Sequence, residues 1–285
     1  MSLLRRLRAR RTERERVQAA LAALAAAFGV GGRRVLLDGQ RAEGLYDVVA
    51  SGNVARLAAN GCLISTTPPA GFASVHQFAD LYVATNDPKW QDPRLHLGSG
   101  PVALPGWINI DNLPYPGVDV VWNLARGIPF RGAKFIFAEH FIEHLSFDQA
   151  EQLVRNCRAA LRDDGILRLS TPNLDWVWRT SYESGDALRD CFVINRAFHG
   201  WGHQFLYNLP ALENLLHDGG FETVRPFGYG ESDTPALAGI ERHEQYPDSP
   251  VLPHILIVEA SGRRAATDAP RHPMIEEFRR DVAVR

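Results

Sequence analysis

Short apolar runs separated by glycine, proline and polar turns recur along this chain, and from residue 94 they do so regularly. "RLHLGSG" (94–100) predicts a strand running into a glycine turn. "GWINIDN" (106–112), "VDVVWNL" (118–124) and "KFIFAEH" (134–140) predict three more strands. Residues 146–165 predict a helix, because Ala150, Leu153, Val154, Cys157, Ala160 and Leu161 keep a 3.6-residue period. Ser146 is placed to cap its start and Gly165 to stop it. "GILRLST" (165–171) predicts a fifth strand ended by Pro172, and "LPALENLLHDGGF" (209–221) a further helix. "ETVRPFGYG" (222–230) and "HILIVEASG" (254–262) predict the last two strands. Strands alternating with helices predict an α/β fold, a mostly parallel seven-stranded sheet with helices on both faces. Residues 174–208 are polar and aromatic without a clear period, and the tail after Arg263 reads as charged and loosely ordered.

The first 93 residues follow another rhythm. Residues 1–32 predict a basic, Ala-rich helix, with seven arginines between Arg5 and Arg16 followed by a mostly alanine run. Glu13 and Glu15 interrupt the basic part, and the apolar part is too short and too weak for a membrane span. The expectation is a cytoplasmic helix; the alternatives are a surface helix that touches anionic membrane lipid or a protein partner through its arginines, and a targeting segment. Residues 33–93 predict a small additional α/β segment: β-rich runs at 33–39, 46–52, 61–66 and 80–86, and a weakly helical "NVARLAAN" at 53–60. Proline-rich punctuation at 66–71 and 86–93 sets a boundary near residue 93. The organisation expected is thus 1–32, 33–93, a main domain over 94–262 and a charged tail over 263–285.

Composition narrows the class without naming a chemistry. The chain has 285 residues, 45% of them hydrophobic and 22% charged, as in an ordinary soluble globular protein. A formal charge of -2 gives no electrostatic basis for whole-protein nucleic-acid binding. Cys62, Cys157 and Cys191 are widely spaced with no CxxC, which predicts a reducing compartment, the cytoplasm, and no disulfide framework.

Candidate chemistry begins at the first glycine turn. Gly98-Ser99-Gly100 ends an apolar strand, at the sheet edge where ligands of open α/β folds bind. Asp111 ends the next strand, where a carboxylate can accept hydrogen bonds from both hydroxyls of a ribose. The dinucleotide fingerprint is incomplete, however. There is no G-x-G-x-x-G, and Asp111 follows Gly100 by 11 residues, against about 20 in the fingerprint. Pro101 and Pro105 leave little room for a helix that would hold a pyrophosphate. The site suits an adenosine without a pyrophosphate, and S-adenosylmethionine (SAM) is such a cofactor.

Four stretches then carry a resemblance: "LHLGSGP", "GWINIDN", "NLARGIPF", and "FIFAEHFIEHL" leading to "DDGILRLSTPN". Residues 94–262 resemble the class I SAM-dependent methyltransferases, most closely a bacterial, type 11-like branch with a shortened first helix. The resemblance implies a Rossmann-like fold with SAM as cofactor. It implies that Gly98, Ser99 and Gly100 flank the methionine and ribose of the cofactor. Asp111, with Asn112 beside it, would bind the ribose hydroxyls. Asn123 and Leu124 would sit at the adenine, Asn123 where members often have Asp. Glu139, His140 and Phe141 would line the methyl-donor pocket.

"HFIEH" (140–144) also has the H-x-x-E-H spacing of an inverted zinc metalloprotease motif. A zinc centre needs a third protein ligand and an activated water. Glu213 and Glu222 have no distinctive context, and the motif directly follows a strand. No metal is therefore expected; His144 reads as a cap or pocket wall, and Glu143 as a solvated or loop-binding acid.

"NRAFHGWGHQFLYN" (195–208) lies where methyltransferases of this fold place substrate elements, and its "WGHQFLY" portion resembles theirs. In one reading His203 is a general base, with His140 a second candidate, since imidazole titrates near neutral pH. His199, Trp201 and Tyr207 would then contact an apolar or sugar-like acceptor. In the other reading the stretch is a packed aromatic lid whose histidines are merely hydrogen-bonded. "AEHF" differs from the N-P-P-[YF] of amino-methylating enzymes, which points to oxygen on a small-molecule, glycan or lipid-linked acceptor. An NAD-dependent oxidoreductase is disfavoured, because neither Lys89 nor Lys134, the only lysines, completes a Tyr-x-x-x-Lys pair. A non-catalytic, methyltransferase-like partner subunit is the remaining rival.

Overall fold

Two β-sheets organise the computed structural model, which describes residues 48–51, 54–59, 62–65, 68–78, 81–113, 115–128, 130–181, 184–243, 249, 251–265 and 272–282. The basic stretch 1–32 and the run 33–39 lie outside these residues. The first sheet contains β1 (Val48–Ser51), β2 (Val54–Ala59), β3 (Cys62–Ser65), β4 (Ser74–Phe78) and β5 (Leu81–Thr85). Its order is β1-β2-β3-β5-β4, and every pairing is antiparallel. The helix expected over 53–60 is instead strand β2, so between residues 48 and 85 the described residues hold strands and no helix. A run this short does not offset the cost of nucleating a helix. As a strand it pairs on both sides, with β1 and with β3.

The second sheet contains β6 (Arg94–Leu97), β7 (Ile108–Asp111), β8 (Val120–Val121), β9 (Ala133–Glu139), β10 (Leu161–Pro172), β11 (Thr223–Phe227) and β12 (Ile255–Ser261). Its order is β11-β12-β10-β9-β6-β7-β8. Strands β6 to β10 pair in parallel, and β12 runs antiparallel to both β10 and β11. From β6 the chain winds outward through β7 and β8, then returns to the other side of β6 for β9 and β10. The reversal makes a crevice at the carboxyl ends of β6 and β9, where open α/β sheets bind ligands.

Strand alternation sorts side chains between the faces. Leu95, Leu97, Ile108, Ile110, Ile136 and Ala138 enter the main core. Helices α1 (Phe147–Ala160) and α4 (Leu209–Asp218) cover it with Leu153, Val154, Cys157, Leu212, Leu215 and Leu216. Each such buried aliphatic contributes about 1.5–3 kcal/mol. Phe135 and Phe137 turn to the opposite face, where loop residues Leu104, Trp107, Leu237 and Ile240 pack on them; among the described residues this cover is loop rather than helix. His96 joins it, stacked on Phe137 with ring centroids 5.3 Å apart and bonded to the Asn109 side chain at 3.0 Å.

Ser146 starts α1 with a reciprocal cap: its Oγ accepts from the Gln149 N–H at 3.3 Å, and its own N–H donates to the Gln149 side chain at 3.0 Å. The helix ends at Ala160 rather than Gly165, and the chain passes directly into β10 through an irregularity between Leu161 and Ile166. The stretch 174–208 holds two helices without a clear sequence signal, α2 (Leu174–Ser181) and α3 (Ala187–His199). They enclose a small separate core of Val177, Ala197 and Leu206.

The tail is not loosely ordered throughout, because Pro273–Val282 forms helix α5. Ile275 packs against the main core, and the Phe278 ring meets Phe147 and Phe205 edge-on. Arg279 bonds Glu151 at 2.6 Å and Asp148 at 2.9 Å while lying over the Phe147 ring. An amphipathic stripe this narrow is stabilised by docking, not by intrinsic propensity. Among the described residues no helix is long and apolar enough to cross a membrane.

Candidate active site

The crevice is built from the ends of β6, β7 and β9. Gly98 has φ +62, and a Cβ there would lie 2.5 Å from a ring carbon of Phe141. Both the left-handed backbone and the ring demand glycine. Gly100 also has positive φ, and nothing lies within 4 Å of where its Cβ would be, so the turn opens outward. The Ser99 N–H donates to the Ile110 carbonyl at 3.1 Å, which ties the turn to β7. Its Oγ is buried and has no hydrogen-bond partner among the described residues.

Asp111 is buried beside the turn. It accepts from the Gly100 N–H at 2.8 Å on one oxygen and from the Leu113 N–H at 2.9 Å on the other. An ionised carboxylate has about four acceptor positions, so it can take two more donors. Asn112 is exposed next to it. Asn123 is also exposed, its Oδ1 accepting from the Ala125 N–H at 3.0 Å to cap a single helical turn. The Leu124 side chain is buried in the main core, so at this position only backbone is left to meet an adenine.

The end of β9 departs further from the expectation. Glu139 accepts on one oxygen from the His243 ring at 2.5 Å and from the backbone N–H groups of Arg242 and His243 at 2.8 and 3.2 Å. Burial alone pushes its carboxyl up, but these bonds together hold it below the usual value. Glu139 therefore anchors the segment at 242–243. His140 has φ 46, the one non-glycine positive φ among the described residues. That conformation costs an L residue about 1–2 kcal/mol. It is held by an N–H bond to the Ser170 carbonyl at 3.0 Å and by Nδ1 against Glu143 at 2.9 Å. Backbone strain of this kind concentrates at functional sites.

Of the two readings of Glu143, solvated or loop-binding, the first does not hold: its relative exposure is 0%. The Thr171 hydroxyl donates to its second oxygen at 3.1 Å, and its backbone carbonyl receives the Gln204 N–H at 2.7 Å. That last bond brings in the "WGHQFLY" stretch, and the His203 ring lies 5.0 Å from the His144 ring. Nδ1 of His203 is 2.7 Å from the Ala197 carbonyl. A carbonyl only accepts, so Nδ1 carries the proton and Nε2 the lone pair. Burial pushes the pKa of His203 down, outweighing the carbonyl bond that raises it. Nδ1 of His144 faces the Gly202 carbonyl at a longer 3.4 Å.

His140, Glu143, His144 and His203 line a cavity of about 530 Å³, walled on its apolar side by Trp176, Val177, Leu206 and Ile255 among others. The predicted Trp201 stands at its rim, with the Arg196 guanidinium 5.3 Å over its ring. Two predicted contacts do not line it. His199 is exposed at the end of α3, and Tyr207 is fully buried in the main core with no partner for its hydroxyl among the described residues. Alternation explains the second, since Leu206 takes the cavity side and Tyr207 the core side. Sequence reasoning missed Trp176 and Val177, which lie on helix α2 in a stretch read only as polar and aromatic. Phe141 links the two halves of the site, touching Gly98 on one side while its neighbour His140 faces the cavity.

A profile of the family described as a methyltransferase domain matches residues 57–225, well over half of the chain. The match begins within β2 and ends within β11. No curated protein matches the chain. Among solved structures, a SAM-dependent methyltransferase from Thermotoga maritima is 14% identical at a TM-score of 0.42, over 60% of this chain and 82% of that one. A SAM-dependent methyltransferase from Archaeoglobus fulgidus is 15% identical at a TM-score of 0.39, over 61% and 88%. The chain spans 32% of a similar chain from Nostoc punctiforme and 44% of LepI, solved in complex with SAM. With the family profile covering the crevice, the glycine turn and the histidine-lined cavity alike, the chain belongs to the methyltransferase-domain family.

Proposed function

We propose that this chain is a methyltransferase that uses SAM to methylate a hydroxyl oxygen of a small-molecule or glycan-like acceptor seated in the 530 Å³ cavity. One observation carries the reading: a glycine turn with an orphaned hydroxyl and a carboxylate adjoins, through Phe141, a cavity that holds several histidines. The buried Ser99 Oγ, without a protein partner, fits a ligand that brings its own hydrogen-bonding groups to the turn. Gly98, Ser99 and Gly100 would hold the amino-acid and ribose part, and Asp111 the ribose hydroxyls. Asn112, Asn123 and the backbone at Leu124 would meet the adenosine, and Phe141 would form the wall.

SAM supplies an already activated methyl group, so the protein's task is to orient and desolvate. A hydroxyl acceptor must lose its proton during transfer. His203 and His140 each hold Nδ1 against an acceptor and so keep the Nε2 lone pair for that proton. Burial disfavours the charged form of His203, which keeps it available as a base at neutral pH. Trp176, Leu206 and Ile255 exclude water from the acceptor's apolar part.

The test is calorimetric titration with S-adenosylhomocysteine, for the wild type and for Asp111→Ala. Micromolar binding that weakens at least tenfold in the variant is expected. A folded wild type that binds neither this ligand nor SAM would overturn the reading.

A further inference from the structure

Two residues of "HFIEH", Glu143 and His144, find a third potential ligand far downstream in the chain, at His203. Donor atoms of Glu143, His144 and His203 all lie within 4.8 Å of one another on the cavity wall. An ion with bonds of about 2.1 Å spaces tetrahedral ligands about 3.4 Å apart, so small side-chain rotations close the set. Metal-bound histidines characteristically donate their second ring N–H to a carbonyl or carboxylate, and bound carboxylates are themselves hydrogen-bonded. Those outer contacts are present here: His203 to Ala197, His144 to Gly202, and Glu143 from both Thr171 and His140.

A second observation is independent of spacing. Glu143 has 0% exposure, and the one ion pair it makes among the described residues is with His140, which is charged only when protonated. A carboxylate buried so completely is costly unless a counter-charge accompanies it. No arginine or lysine among the described residues supplies one.

We infer that Glu143, His144 and His203 form a binding site for a first-row divalent cation on the wall of this cavity, with coordination positions left open for an oxygen of the acceptor. Two imidazoles and one carboxylate suit Zn²⁺ or Mn²⁺ better than Mg²⁺ or Ca²⁺, which prefer all-oxygen sets. The acceptor part of the inference rests on the proposed function; the cation site does not. With His203 engaged, His140 remains as the imidazole that takes the acceptor's proton.

The test begins with chelator-stripped protein titrated calorimetrically with Zn²⁺ alone, and the same titration of His203→Asn, His144→Asn and Glu143→Gln. One equivalent bound at micromolar affinity or better is expected in the wild type, weakened at least 100-fold in each variant. Each protein is also titrated with S-adenosylhomocysteine. A variant that keeps this binding while losing Zn²⁺ is folded, and its loss belongs to the site. If wild-type protein binds Zn²⁺ but not S-adenosylhomocysteine, the proposed function fails and the cation site stands. Stoichiometric Zn²⁺ uptake unchanged in all three variants would overturn the inference. So would a wild type that binds S-adenosylhomocysteine but takes up no Zn²⁺ below millimolar concentration.

Discussion

Two buried acid clusters in this molecule are held in opposite ways. On β10, Arg168 is fully buried and donates to Glu241 at 2.6 Å and to Glu259 at 2.7 Å, and the Ser232 hydroxyl also donates to Glu259. At the end of β9, Glu143 is equally buried but has an imidazole and a hydroxyl for partners. A guanidinium is charged at every accessible pH, so the first cluster carries a permanent cation of its own, one positive charge set between two carboxylates, with Arg168 Nη2 and Glu241 Oε2 left without a hydrogen-bond partner among the described residues. The second has no arginine or lysine paired with it among the described residues. The first thus fastens the 230–242 loop to the sheet, while the second keeps a binding capacity.

The strongest way to break this contrast is Arg168→Met. It strands two buried carboxylates and should cost about 3–5 kcal/mol, read as a lowered urea midpoint. A loss below about 1 kcal/mol would show that the triad is not structural.

A smaller, graded loss is expected on acidification. Burial is the largest cause lowering the pKa values of His76, His96 and His203. Their folded values lie below the unfolded value of 6.5, so the unfolded chain takes up protons first. The stability they contribute is complete above that pH and is lost as the pH falls through the folded values. The melting temperature should therefore fall steadily from pH 7 to pH 5. A melting temperature that rises on acidification would contradict the assignment.

The smallest effect is expected from Glu143→Gln. The amide keeps an acceptor for Thr171 and removes a buried charge, so stability should change by less than about 1 kcal/mol. A loss of 3 kcal/mol or more would make Glu143–His140 a structural pair like its counterpart, and the contrast would disappear.

What could be read from the chain follows from how each element is stabilised. Strands β6, β7, β9 and β12 are apolar runs because they lie in the interior of a covered sheet. The cap of α1 is local chemistry, contained within four adjacent residues. Helices α2 and α5 instead are short and expose much of their surface, Trp178 and Met274 included, so their stability comes from docking. In the site, the places of Gly98 and Asp111 were recognisable because they lie at the ends of neighbouring strands. The burial of Glu143 and Tyr207, which decides between the readings open for each, depends on elements far away in sequence. The approach of His203 to His144 depends on the Gln204 bonds to Glu143 and His144, which no local spacing encodes.

The sheet order also sets a schedule for synthesis. Strand β12 lies between β10 and β11 but is made last, and the partners of Arg168 follow it by 73 and 91 residues. At about 5–20 residues per second, a nascent chain carries an open β10 edge and an unpaired guanidinium for roughly 5–20 seconds. Only when β12 leaves the ribosome can it fill the place between β10 and β11, so the last-made of these strands closes the sheet.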